Sequence, residues 1–271
     1  MTLVDHALSC RLERAEANAN ARFVEARARL FPDSGAEWIE VAGTYAMYDG
    51  PRSPCTQTFG LGMFQMPTPT DMEAIEAFFQ NRKAPVFHEV SPIADKALLQ
   101  VLHERGYRPV ELSNVMFLPF AGRVPQTAAT DESMRVLLVG PENQDQWMHT
   151  ALEGWRELID FADLFDEMMQ VSAAREHGAS FLVERDGAPI AAGALELHKG
   201  IALMAGACTI PQARGQGAQR VLFEARLQYA VEAGCDIAMV VVEPGSASQR
   251  NAERQGFLIA YTRIKWGRDY S

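Results

Sequence analysis

No cysteine pattern organises this chain. Cys10, Cys55, Cys208 and Cys235 form no Cys-x-x-Cys pair and no Cys/His group with zinc spacing. They read as free thiols of a reducing compartment, and no metal is expected. Long apolar runs are also missing. No stretch reaches the roughly 18 residues of a membrane span. Met1 to Arg11 carry no apolar run behind a basic start. Both absences point to the cytoplasm and away from a membrane. Positive charge is in deficit as well. A net charge of -10 excludes general nucleic-acid binding, which needs a basic footprint. No Gly-x-x-x-x-Gly-Lys-Ser/Thr loop occurs either.

What is present is ordinary for a globular protein: 271 residues, 48% hydrophobic and 22% charged. That length suggests about two domains, each able to bury a core. Leu8 to Leu30 has helical spacing and ends at Pro32-Asp33-Ser34-Gly35. Strands are expected over Trp38–Met47, Thr56–Phe64, Pro85–Val90 and Arg108–Leu118. Helices are expected over Thr70–Asn81, with Thr70 as N-cap, and over Ala94–Glu104. Residues 121–133 are rich in Thr, Ala and Gln with little periodicity and read as a linker. The expected domains are therefore residues 1–120 and 134–271. The second opens with a strand, Met134–Leu138, and two helices, Glu142–Leu158 and Asp163–Arg175. A hairpin follows, Ser180–Arg185 and Pro189–Leu197 around Asp186-Gly187. Then come a strand (Ile201–Thr209), a helix (Gln216–Ala233), a buried strand (Ile237–Glu243), a short helix (Ala247–Gln255) and a last strand (Phe257–Trp266).

The halves look like repeats. Each ends with a short apolar strand, a Pro-containing turn, a helix, Gly plus an aromatic residue, and a strand. The marks are Ser91-Pro92 and Gly106-Tyr107, then Glu243-Pro244 and Gly256-Phe257. Between Phe64 and Thr70 the first half has no glycine-rich loop. The second half has Gln212-Ala213-Arg214-Gly215-Gln216-Gly217-Ala218, running from a strand into a helix. Unpaired amides at a helix start, with glycines that let the backbone curl, form a site for phosphate or pyrophosphate. Several charge-assisted N–H bonds, roughly 1.5–3 kcal/mol each, outweigh a net negative field that salt screens beyond about 8 Å. Arg214 and Arg220 add local positive charge.

Strand-Pro-x-x-Arg-Gly-x-Gly-helix resembles the acetyl-CoA motif of the GCN5-related N-acetyltransferases (GNAT). The resemblance spans roughly Met134 to Trp266 and includes the run Ser248-Gln249-Arg250-Asn251-Ala252-Glu253-Arg254-Gln255-Gly256-Phe257. It implies an α/β fold of two tandem acetyltransferase-like domains, the first degenerate, each with a mixed, mainly antiparallel sheet flanked by helices. It implies acetyl-CoA as co-substrate, touched by Cys208, Thr209, Ile210, Arg214, Gly215, Gln216, Gly217, Ala218, Gln219, Ser248 and Asn251. Two positions depart from the family pattern. Gln219 stands where a small residue is usual, and Ala252 where many members carry the tyrosine that protonates the leaving thiolate.

The resemblance also implies direct attack by an amine, which must first lose a proton at a cost of roughly 4–5 kcal/mol at neutral pH. Candidate bases are Glu196, His198 and Glu243; Tyr261 is the candidate acid. The oxyanion donor is an amide of Ala207, Cys208, Thr209 or Ile210, where the central strand splays from its neighbour. A covalent route through Cys208 has no histidine beside it in sequence. His88-Glu89 with Trp38, Tyr45 and Tyr48 are expected to face an acceptor cleft. The acceptor is a small-molecule or peptide amine, and the chain a monomer or weak dimer. The alternatives are an acyl-CoA sensor without chemistry and an unrelated nucleotide-binding module.

Overall fold

The computed structural model describes residues 4–121, 133–156 and 162–268. Of the expected linker only Ala121 and Ser133 fall within them, and Leu158 lies outside. The chain divides into two units. One holds Met1–Phe117, Val241–Arg250 and Leu258–Ser271; the other holds Leu118–Val240 and Asn251–Phe257.

The first unit starts with helix α1, His6–Leu30, whose N-cap Asp5 accepts the amide of Leu8. Strands β1 (Glu37–Val41) and β2 (Thr44–Tyr48) follow. These replace the single strand expected over Trp38–Met47. A turn through Ala42 and Gly43, at φ 49° and 76°, splits it, and alanine in the left-handed region leaves little sequence signal. β3 is only Gln57–Phe59, shorter than expected, because Gly60 and Gly62 turn the chain at φ 77° and 71°. Helix α2 is Pro69–Gln80, capped by Thr68 rather than Thr70. β4 (Val86–Val90), α3 (Ala97–Glu104) and β5 (Arg108–Pro119) complete the N-terminal segment.

The second unit holds β6 (Met134–Leu138), α4 (Gln144–Trp155), α5 (Ala162–Ala173), β7 (Gly178–Arg185), β8 (Ala188–His198) and β9 (Ile201–Thr209). Helix α6 (Ala218–Glu232) and strand β10 (Ile237–Val242) follow. The chain then forms α7 (Ala247–Arg254) and β11 (Leu258–Arg268).

Sheet order in the second unit is β10-β9-β8-β7-β6, with β9 and β10 parallel and the other neighbours antiparallel. In the first it is β1-β2-β3-β4-β11-β5, with only β3 and β4 parallel. Each unit thus repeats one device: a hairpin, then two parallel strands joined by a helix. β11 corrects the expected division at 134, because it pairs antiparallel with β4 and β5 and so completes the sheet of the first unit.

In that unit β11 builds a buried charge network with α1. Arg263, 1% exposed, reaches Glu16 at 2.6 Å, Glu13 at 3.4 Å and Glu89 at 3.5 Å. Tyr261 donates its hydroxyl to Glu13 Oε1 at 2.8 Å. Burial outweighs the attraction of Arg263 and pushes the Glu13 carboxyl from 4.5 up to about 7. The folded chain therefore keeps a proton that the unfolded chain releases between those values. Stability falls as pH rises from 4.5 to 7 and is flat above, by about 3 kcal/mol at most. Urea unfolding of Glu13→Gln across pH 5–8 is expected to lack this decline.

Candidate functional site

The cradle begins at the end of β9. Against β8 the register slips: Ala194 faces Ala205 and Ala192 faces Cys208, so Gly206 and Ala207 oppose Gly193 alone. This is a β-bulge, and Gly206 takes φ 59° there. On its other side β9 pairs with β10 over Ile201–Leu203 and then runs on to Thr209. Beyond the bulge the amide of Ile210 donates to Ile190 O at 3.0 Å. Ile210 is thereby engaged in the ladder with β8.

A 3-10 turn, Pro211–Ala213, leads into the glycine loop. Gly215 and Gly217 have φ 75° and 88°, and a Cβ on either would meet open space. Gly217 is the N-cap of α6 and supplies no side-chain cap, while the amides of Arg220 and Val221 already turn back onto its carbonyl. The first amides of the helix are thus left for an external acceptor. A cavity of about 380 Å³ opens here, lined by Thr209, Gly215, Gly217, Ala218, Gln219 and Asn251 together with Arg220, Phe223, Arg254 and Gln255.

The matching turn of the first unit is closed. Thr68 and Asp71 form a capping box that satisfies the start of α2, with Pro69 in the first turn. A Cβ on Gly60 would lie 2.8 Å from the Phe64 ring. Only α6 of this pair presents bare amides to a cavity.

The remaining loop residues hold the cradle in shape. Arg185 on β7 donates to Gln216 O at 3.1 Å and also to its side chain. Gln216 donates to Gln212 O at 2.9 Å. Arg214 braces the turn through Thr209 O at 3.4 Å and Gly154 O at 3.3 Å. Gln219 reaches across to Thr209 Oγ1 at 2.8 Å. Cys208 is buried with Trp147 and Ala192, and desolvation pushes its thiol up to about 12, so it stays a neutral core group.

None of the catalytic candidates is among the residues that line the cavity. Glu196 is 2% exposed and pairs with Arg175 at 3.0 Å. His198 ends β8, half-buried, opposite Ile201. Glu243 and Ser248 are exposed, in the segment grouped with the first unit. Tyr261 belongs to the Glu13 network of that unit. The position of the missing tyrosine, Ala252, is fully buried.

The expectation for His88 is corrected. It is fully buried in the first unit, bonded to Thr58 Oγ1 at 2.8 Å and set against the Tyr107 ring. Desolvation drops it to about 3, which makes it a neutral core residue. Glu89 serves Arg263 and Lys265. Trp38 stacks on Tyr45 and packs with the α1 residues Ala17, Ala21 and Val24, whereas Tyr48 packs with the cluster around Ile75 and Leu98.

Sequence reasoning missed Phe223, Arg254 and Gln255 in the cavity wall and the Arg185 brace. Arg254 and Gln255 follow Asn251 at helical spacing, which was a usable signal. Nothing local ties Arg185 to the loop. Among the described residues no His/Cys/Asp/Glu group fit for a metal occurs, and no helix is long and apolar enough to cross a membrane.

Residues 143–257 match the model of the acetyltransferase (GNAT) family. The matched stretch includes the glycine loop and the cavity. No curated protein matches the sequence. Among solved structures, the chain is similar to a GCN5-related N-acetyltransferase from Kribbella flavida, with 19% identity, TM-score 0.66, and 93% of this chain and 96% of that one covered. It is also similar to a GCN5-related N-acetyltransferase from Sphaerobacter thermophilus, with 15% identity, TM-score 0.60, and 94% and 93% covered. A tandem GNAT protein from the clavulanic acid biosynthesis pathway shares 12% identity at TM-score 0.60, with 95% and 92% covered. At these identities the likeness is one of fold.

Proposed function

We propose that this protein binds acetyl-CoA at the loop Gln212–Ala218 and moves the acetyl group to an amine of a small molecule or peptide. The observation that carries the reading is the uncapped start of α6, set between two positive-φ glycines over a cavity. The closed turn before α2 sharpens it: the first unit is read as a degenerate copy of the same domain, in which Asp71 occupies the place of the anion.

In this reading the pyrophosphate takes the amides of Gly217, Ala218 and Gln219. Arg220, Arg254 and Asn251 line the rest of the cavity and meet the remaining phosphate and polar groups. Cys208, Ile210, Arg214 and Gln216 shape the cradle from behind. Ser248 and Asn251 come from α7. The thioester oxygen meets an amide of the bulge segment, Ala207 to Thr209. The neutral amine forms the new C–N bond, the C–S bond breaks, and the sulfur leaves with the electron pair. Glu196 is tied to Arg175, so the attacking amine loses its proton to water, with His198 and Glu243 as the remaining side-chain candidates; Tyr261 is tied to Glu13, so the thiolate leaves without a protein acid and takes its proton from water. The protein acts alone or as a weak dimer in the cytoplasm, without nucleic acid, membrane or metal.

The buried Ala252 favours a second reading, a sensor that binds acyl-CoA without chemistry. Release of the CoA thiol across a panel of amines separates the two. Acceptor-dependent release supports the enzyme; tight binding with no release from any amine supports the sensor.

Gln219 lies over the cavity where the family pattern has a small residue. Gln219→Ala is expected to tighten acetyl-CoA binding roughly threefold to tenfold, with stability changed by under about 1 kcal/mol. Calorimetric titration checks the first and thermal unfolding the second.

A further inference from the structure

α6 carries a charged residue on its buried stripe. Arg226 is 1% exposed, one turn after Leu222 and one before Ala230. Its Nε donates to Leu222 O at 3.3 Å. Its Nη1 donates to Ala194 O at 3.2 Å and Ala205 O at 3.4 Å. Those two residues face each other on the edge of the bulge. Its Nη2 has no partner. Among the described residues no carboxylate offsets the charge. Burial lowers its pKa from 12.5 to about 10, and it stays a cation at neutral pH.

A leucine or methionine would fill this space without desolvating a charge, and an unpaired buried cation is costly to keep. The bulge explains part of the cost, since carbonyls that lose ladder partners need donors. A neutral donor would serve for that. The positive charge needs a further reason, and its place supplies one. It lies behind Phe223, whose ring is 4.9 Å from the guanidinium carbon and which lines the cavity. Its field reaches Cys208 on the segment expected to face the thioester. From the other face Trp147 Nε1 donates to Gly193 O at 3.2 Å, so the residue opposite the bulge is pinned as well.

We infer that Arg226 is a positioning residue for acyl transfer: it braces the Gly206–Ala207 bulge through two carbonyls, and its unpaired charge polarises the thioester carbonyl bound there. This rests on the acetyl-CoA reading above. The charge favours the negative oxygen that develops during attack, and it does so from a fixed position.

The test is the infrared band of acetyl-CoA carrying 13C at the thioester carbonyl, free and bound to the full chain. Bound to the wild type, the band is expected to shift to lower wavenumber. Arg226→Gln keeps a donor and loses the charge; most of the shift should vanish while acetyl-CoA still binds. Arg226→Lys keeps the charge and should restore most of it, which a purely structural role would not do. Arg226→Met extends the series, and the glutamine variant decides if the methionine variant fails to fold. A shift that is equal in wild type and Arg226→Gln overturns the inference and leaves acetyl-CoA binding intact. Absence of acetyl-CoA binding by the wild type overturns the cofactor reading, and this inference with it.

Discussion

Arg263→Met is expected to destabilise the chain by about 3–5 kcal/mol near pH 8, the range for removing one partner of a buried ion cluster. The guanidinium sits among Glu13, Glu16 and Glu89, and all four side chains are largely or fully buried. Without it, three carboxylates share a site with Lys265, whose contacts are Glu89 at 3.3 Å and Glu111 at 2.6 Å. Protonation relieves part of this, so the deficit should shrink toward pH 5. Chemical unfolding of wild type and variant at both pH values checks the sign as well as the size. An equal deficit at both would mean that packing of the side chain, rather than its charge, is what the site needs.

Gly217→Trp is expected to abolish acetyl-CoA binding, raising Kd by at least about a hundredfold, which corresponds to roughly 2.7 kcal/mol. Gly217 caps α6 at φ 88° and lines the cavity, and a Cβ added there meets open space. The fold therefore has room for the indole, at the strain of a non-glycine residue in the left-handed region, about 1 kcal/mol. The anion has no such room. Calorimetric titration reads the loss, and circular dichroism confirms that the variant is folded. Gly187→Trp, in the β7–β8 turn at φ 82° with open space around it, is the control: similar strain, with binding kept.

The loop was legible because its chemistry is local. Two glycines at fixed spacing, a preceding Pro211 and a following amphipathic helix all lie within one stretch of chain, and the structure puts Gly215, Gly217 and Ala218 on the cavity. The Asp186-Gly187 hairpin was legible for the same reason, with both residues at positive φ. What could not be read depends on distant partners. β11 looked like the closing strand of the second half, yet its neighbours are β4 and β5, and no local pattern names a strand's partner. Tyr261 followed β11 into the network with Glu13, 248 positions away. Arg226 was hidden by a sound rule: charged residues lie outside unless paired. Its spacing from Leu222 and Ala230 on one helix face was the signal available. Gly60 and Gly62 show another limit: the expected strand Thr56–Phe64 ran through them, yet both take positive φ and end the strand at Phe59.

Everything proposed here depends on acetyl-CoA binding through the bare amides at the start of α6. Its most direct test is titration of the 15N-labelled wild-type chain with acetyl-CoA, following backbone amides by NMR. Micromolar binding is expected, with the largest shifts at Gly215, Gly217, Ala218 and Gln219 and small ones at Gly60, Gly62 and Asp71. Binding with its largest shifts in Gly60–Asp71, or no binding at millimolar acetyl-CoA, would contradict it.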